Sequence, residues 1–209
     1  MLRPEFFPSI RSWLCAMVLA SLLLPQLALA DGLRLTPYLG YRIGGEFEDA
    51  DTGSTLDLDE TESYGLIISQ DADDAIEFSL SRQPTELSAN SEVSSADLFD
   101  VDVYNLMVGG KSIVDADNGS FVSGMAGVTH FDPREAGLSS DTRFALGIGA
   151  GIDYPLTERL SFRFEGRGIA TFLDSSGGVF CSSSRGCLAY ADSSLLLQFE
   201  VLSGLSFRF

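Results

Sequence analysis

Short stretches in which every second residue is apolar recur from residue 33 to the end of the chain, and they constrain the fold more than any other feature. Period-two alternation belongs to the β-strand, whose successive side chains leave opposite faces. The clearest case is the C-terminal run LLLQFEVLSGLSFRF. Leu195, Leu197, Phe199, Val201, Leu205, Phe207 and Phe209 share one parity. Ser194, Gln198, Glu200, Gly204, Ser206 and Arg208 occupy the other, interrupted by Leu196 and Leu202. One face is greasy and one polar, and alternation alone leaves open which of them meets water.

Seven further segments read the same way. In 33–43 Leu33, Leu35, Pro37, Leu39, Tyr41 and Ile43 oppose Arg34, Thr36, Tyr38, Gly40 and Arg42. Segments 63–69 and 75–81 set Tyr64, Leu66, Ile68 and Ile76, Phe78, Leu80 against serine, glycine and Glu77. A fourth, about 99–113, places Tyr104, Leu106 and Val108 opposite Asn105 and Gly109. The fifth, 120–131, is apolar or small on both parities, so its faces are unassigned. The sixth alternates Phe144, Leu146, Ile148, Ala150, Ile152 and Tyr154 with Arg143, three glycines and Asp153. The seventh alternates Leu160, Phe162, Phe164 and Phe172 with Ser161, Arg163, Glu165 and Arg167. No helix-period segment of comparable length is present. QDADD, VDADNG and PLTER are short connections, and Asn118-Gly119 is a hairpin signal because both residue types tolerate positive φ. The other connections, about 44–60, 82–98, 132–142 and 173–190, are long and polar. An even strand number with alternating long and short loops is the pattern of a transmembrane barrel.

Residues 1–30 read as a cleaved export signal: Arg3 and Arg11 precede the apolar stretch Trp13–Leu24, and Ala28-Leu29-Ala30 supplies small residues at the cleavage site. The mature domain is then 31–209, with 11 basic and 29 acidic residues, a net charge of −18. Such a chain offers no phosphate-neutralising patch for nucleic acid. Beyond residue 30 no apolar run approaches the length of a spanning helix, a test that does not see barrels. Cys181 and Cys187 are the mature cysteines, and export favours a local disulfide between them.

The alternating last strand ending in Phe207-Arg208-Phe209 resembles the C-terminal assembly signal of bacterial outer-membrane proteins, carried here by Leu205, Phe207 and Phe209. The mature chain as a whole resembles the small outer-membrane barrels of the OmpA transmembrane-domain, OmpX and OmpW kind. The resemblance implies an all-β fold, an eight-stranded antiparallel up-and-down transmembrane barrel in the bacterial outer membrane. It also implies periplasmic termini, four loops outside the cell, contact with outer-membrane lipid and lipopolysaccharide, recognition by the assembly machinery, and a monomer. The apolar parity then faces lipid, and Tyr41, Tyr64, Tyr104, Tyr154, Phe172, Phe207 and Phe209 lie near segment ends, where aromatic girdles belong.

Eight strands leave an interior just wide enough for side chains to fill. Arg34, Arg42, Glu77, Asp153, Arg163, Glu165, Arg167, Glu200 and Arg208 are therefore expected to meet inside as an ion-pair network. Such a network would plug the lumen, and a narrow charged conduit is the alternative. Residues 46–62 hold eight acids and no base and read as a solvated loop; a divalent-cation site on Asp49, Asp51, Asp57 and Asp59 is the alternative, although they match no calcium-loop spacing. Outer-membrane lipid A deacylases and palmitoyltransferases share this architecture, which raises the question of catalysis. His130 is the single histidine, with Asp132, Glu135, Ser139 and Ser140 nearby, but Phe131 and Asp132 follow it, so no deacylase-type His-x-Ser pair exists. The expectation is a non-enzymatic protein without metal or cofactor, anchoring acidic surface loops in a structural, adhesive or protective role.

Overall fold

In a computed structural model of the chain, the described residues are 32–49, 55–70, 72–91, 94–135, 137–173, 178–182, 186–190 and 195–209. The expected signal peptide, residues 1–30, lies outside them. Twelve strands form: β1 Leu33–Ile43, β2 Glu46–Asp49, β3 Thr55–Leu58, β4 Thr61–Gln70, β5 Asp74–Ser91 and β6 Ser94–Asp115, then β7 Ser120–Pro133, β8 Asp141–Pro155, β9 Leu160–Phe172, β10 Gly178–Ser182, β11 Gly186–Tyr190 and β12 Leu195–Arg208.

Eight of these close a barrel. β1 pairs with β4, and the ladder continues through β5, β6, β7, β8 and β9 to β12, which pairs back onto β1. Every pairing is antiparallel, so no barrel strand keeps an open edge. The start of β1 and the end of β12 meet at the rim with the short turns, where Phe209 N donates to Leu33 O at 3.0 Å. At the turn between β6 and β7, Gly119 has φ of +72° and an added Cβ would lie 2.2 Å from Asp153 O, so glycine is needed for conformation and for space.

The outer wall is apolar. Ile148 is 75% exposed and Leu39 70%, with Phe78, Leu80, Leu106, Phe144, Phe164, Phe199 and Val201 exposed around the circumference. A water-soluble protein would not leave so continuous a band open. Tyr41, Tyr64 and Phe172 sit at its long-loop margin, and Tyr154, Phe207 and Phe209 at its short-turn margin; all six are exposed. On β7, whose faces alternation left unassigned, Phe121, Met125, Thr129 and Phe131 point inward and Val122 and Val128 outward.

The long connections depart from expectation. Residues 82–98 are not a loop: β5 runs to Ser91 and β6 starts at Ser94, a long hairpin rising above the apolar band. On that extension the outward positions are Arg82, Pro84 and Glu86 on β5 and Asp100 on β6, facing water rather than lipid, so hydropathy stops alternating while the backbone continues. Hydropathic alternation marks the bilayer, not the length of the strand. Within 44–60, β3 continues the line of β4 and pairs with the upper part of β5, Leu58 opposite Leu87. β2 pairs with β3, β11 with β2, and β10 with β11, extending this side of the sheet. Cys181 and Cys187 are direct cross-strand partners of the β10–β11 hairpin.

Candidate functional site: the barrel interior

Inward residues stack in tiers along the barrel axis. Nearest the short-turn rim, Thr36 Oγ1 donates to Ser206 Oγ at 2.7 Å, and Arg34 Nη1 lies 3.5 Å from Asp153 Oδ2. Lys111 Nζ donates to the same oxygen at 2.5 Å. Above them Arg163, fully buried, donates Nη1 and Nη2 to the two Glu77 oxygens at 2.7 and 3.0 Å. Its Nε and Nη2 also donate to Glu165 Oε2 at 3.0 and 2.7 Å. Arg167 Nη2 reaches that oxygen at 3.0 Å, and its Nε lies 3.9 Å from Glu200 Oε2. Glu200 Oε1 accepts from Arg42 Nη2 at 2.7 Å and from Ser63 Oγ at 2.6 Å.

The result is one continuous chain of buried charges from Asp153 to Arg42: four cations (Arg42, Lys111, Arg163, Arg167) against four anions (Glu77, Asp153, Glu165, Glu200). Charges withdrawn from water need this balance and this density of hydrogen bonds. Phe121 adds a ring face 4.5 Å from the Arg163 guanidinium. Small residues on β8 make room for the long side chains of β9: an added Cβ on Gly149 would lie 2.6 Å from Glu165 Oε1.

Of the nine charges expected inside, Arg42, Glu77, Asp153, Arg163, Glu165, Arg167 and Glu200 are buried, and Arg34 is partly exposed at the mouth. Arg208 is a correction: it keeps the inward parity of Ser206 but is exposed rather than buried, because β12 ends there at the rim. Lys111 belongs to the network but was missed, although it shares the parity of Asn105 and Gly109.

Toward the long-loop end charge gives way to amides and hydroxyls. Gln198 Nε2 donates to Gln83 Oε1 at 3.2 Å, Gln83 Nε2 to Thr61 Oγ1 at 3.1 Å, and Thr129 Oγ1 to Asn105 Oδ1 at 2.7 Å. Above these an apolar cap fills the mouth: Leu56 and Leu58 of β3 pack with Leu87, Val101, Val103, Phe131, Leu173 and Leu196, flanked by Phe99 and Leu138. Leu56 and Leu58 enter from the acidic first connection, with Asp57 and Asp59 between and after them less buried. Gly45 O receives Leu58 N at 2.9 Å, seating β3 at the top of β1.

No protein-family model and no curated protein matches the sequence. Solved structures do. The chain superposes on Neisserial surface protein A with a TM-score of 0.57 at 12% identity, over 85% of this chain and 97% of that one. OprG of Pseudomonas aeruginosa gives 0.54 at 14% identity, over 86% and 97%. AlkL, solved in lipid bilayers, gives 0.52 at 13%, over 86% and 90%. The fold is that of a small outer-membrane barrel. With the exposed apolar band, it is the fold of a barrel set in the bacterial outer membrane.

On the outer wall of this outer-membrane barrel, His130 stands beside the Tyr104 ring, centroids 6.3 Å apart, and its Nδ1 lies 2.7 Å from Thr142 Oγ1. Asp132, Glu135, Ser139 and Ser140 are exposed, and the contacts shown for the histidine are with Tyr104 and Thr142 rather than with them. Among the described residues no group of histidine, cysteine and acidic side chains is arranged to hold a metal ion. Asp51 lies outside the described residues.

Proposed function

We propose that this barrel is a closed, non-enzymatic anchor that displays an acidic surface outside the cell. What supports the reading is that the interior holds the ion-pair chain from Asp153 to Arg42 and, above it, the apolar cap. An ion crossing this interior would have to break buried pairs and then enter a dry apolar constriction, each costing several kcal/mol. The working surface is then the outer rim, where Glu46, Asp57, Asp59, Glu60, Glu62, Glu86 and Asp100 gather around β3 and the β5–β6 extension. Such a surface favours cationic partners and repels anionic ones, and function borne on loops above a rigid scaffold fits it.

The runner-up is a small channel whose charged lumen conducts once the cap has moved. Purified protein in planar bilayers separates the two. The anchor reading expects no resolvable conductance steps at ordinary voltages. Reproducible steps that the substitution Leu56→Asp enlarges would replace it with the channel.

A further inference from the structure

At the short-turn mouth of the barrel two rows of residues of inward parity lie one above the other. The inner row is made of hydroxyls. Ser161 of β9 pairs with Ser206 of β12, and Thr36 of β1 donates to Ser206 Oγ at 2.7 Å. All three are buried. The outer row is cationic. Arg34 of β1 is the direct cross-strand partner of Arg208 on β12, and Arg208 N donates to Arg159 O at 2.9 Å, which sets Arg159 beside it. Arg34, Arg159, Arg208, Ser161 and Ser206 line one cleft of about 220 Å³.

Arginines set side by side in this way repel, and like charges directly opposite on neighbouring strands weaken the pairing. The lining offers one carboxylate, Glu158, against three guanidiniums. One tier inward, Asp153 is shared: Lys111 Nζ donates to Oδ2 at 2.5 Å, and Arg34 Nη1 reaches the same oxygen only at 3.5 Å. That second contact is longer than a charge-assisted hydrogen bond makes. Composition does not bring the arginines here, since the mature chain has 11 basic residues and a net charge of −18. The hydroxyl row adds donors: Ser206 Oγ accepts from Thr36 and still has its own proton to give.

We propose that this vestibule binds a small soluble oxyanion, a phosphate or a carboxylate group, bridging Arg34, Arg208 and Arg159. Guanidinium forks match the oxygens of either group bidentately. A bridging anion turns the repulsion within the arginine row into attraction. The row has the inward parity, with Phe207 and Phe209 on the other, so the occupant comes from water on the short-turn side rather than from the bilayer. The cleft is smaller than the ~300 Å³ at which sites for drug-sized ligands begin, which suits an ion of a few atoms. It lies at the opposite end of the barrel from the acidic rim and is independent of the role proposed for that rim. The competing account is that carboxylates of this chain neutralise the three arginines.

The test uses the full mature protein folded in maltoside micelles, which carry no phosphate, at constant ionic strength set with sodium chloride. The readouts are equilibrium dialysis against radiolabelled inorganic phosphate and the urea midpoint of the folded band. Saturable uptake of phosphate that acetate displaces is expected, with a midpoint that phosphate raises. Arg159 lies in the turn between β8 and β9 and joins β12 through its backbone, so Arg159→Gln leaves the fold in place. It should abolish the rise and weaken uptake about tenfold, the loss of one charge-assisted hydrogen bond. Arg208→Gln should do the same, whereas Arg159→Lys should keep part of the uptake. Arg134→Gln, at the opposite rim, should bind phosphate as the unmodified protein does. No saturable uptake, or uptake that Arg159→Gln and Arg208→Gln leave unchanged, would overturn the site in favour of neutralisation within the chain. Equal weakening by Arg134→Gln would overturn it in favour of general attraction to the protein's cations. Tighter retention of a short-chain phosphatidic acid than of phosphate would overturn the soluble occupant in favour of a lipid.

Discussion

Removing Arg163 should expose how much the buried charge chain depends on complete pairing. Its guanidinium serves two carboxylates, so the loss divides unequally in Arg163→Met. Glu165 keeps Arg167 Nη2 and Ser123 Oγ, each at 3.0 Å. Glu77, fully buried, keeps only Lys111 Nζ among its shown charged partners, at 4.0 Å. The cost therefore falls on Glu77, and an orphaned buried charge costs about 3–5 kcal/mol. That lowers the folding equilibrium by roughly two to three and a half decades. The double substitution Arg163→Met with Glu77→Met removes the orphan as well and should recover most of the loss, since apolar replacement of a whole buried pair is close to neutral. The assay is a urea titration in vesicles, read by the gel mobility of the folded band and by circular dichroism. Tryptophan fluorescence will not serve, because the chain's one tryptophan is Trp13, in the expected leader. Equal loss in the single and double variants would refute the orphan-charge reasoning. An unaffected single variant would mean that water reaches Glu77 and the lumen is not dry.

Other substitutions test separate parts of the account. Gly149→Ala should cost about 1–3 kcal/mol in the same titration, because its Cβ would crowd Glu165 Oε1 and Ser123 Oγ at 2.6 and 2.7 Å. Gly147→Ala is the control, since its nearest atom is the mobile end of Met107 at 3.2 Å. Cys181 and Cys187 should form a disulfide worth about 2 kcal/mol to their hairpin; two thiols reacting with an alkylating reagent in non-reduced protein would exclude it. Deleting Phe209 should stop assembly while leaving export intact, and normal amounts of folded barrel in the outer membrane would remove the assembly-signal reading.

The membrane-embedded parts were legible because lipid imposes an outward apolar parity on every strand that crosses it. β1, β8, β9 and β12 show that parity without ambiguity, and seven of the nine expected interior charges lie on the opposite one and are buried. Legibility failed where the constraint changes. β7 is apolar on both faces because Phe121, Met125 and Phe131 fill the lumen while Val122 and Val128 meet lipid. The upper β5–β6 hairpin lost its hydropathic signature on leaving the bilayer, and with it the reading as strand. The cap was hidden in an acidic stretch, although Leu56 and Leu58 alternating with Asp57 and Asp59 are a four-residue strand signal. Arg208 failed for a geometric reason: parity assigns a face but not where the barrel ends.

The central claim is that the apolar parity faces lipid and the charged parity is sealed inside. Spin labels placed singly at Ile148, Leu39 and Phe78 on the band, and at Glu86 above it, test this in a bilayer through their relative accessibility to oxygen and to a water-soluble nickel chelate. The account predicts that the first three relax with oxygen and are shielded from the chelate, while the label at 86 responds to the chelate. Chelate access at 148, 39 and 78 would contradict it and put water where the structure requires lipid.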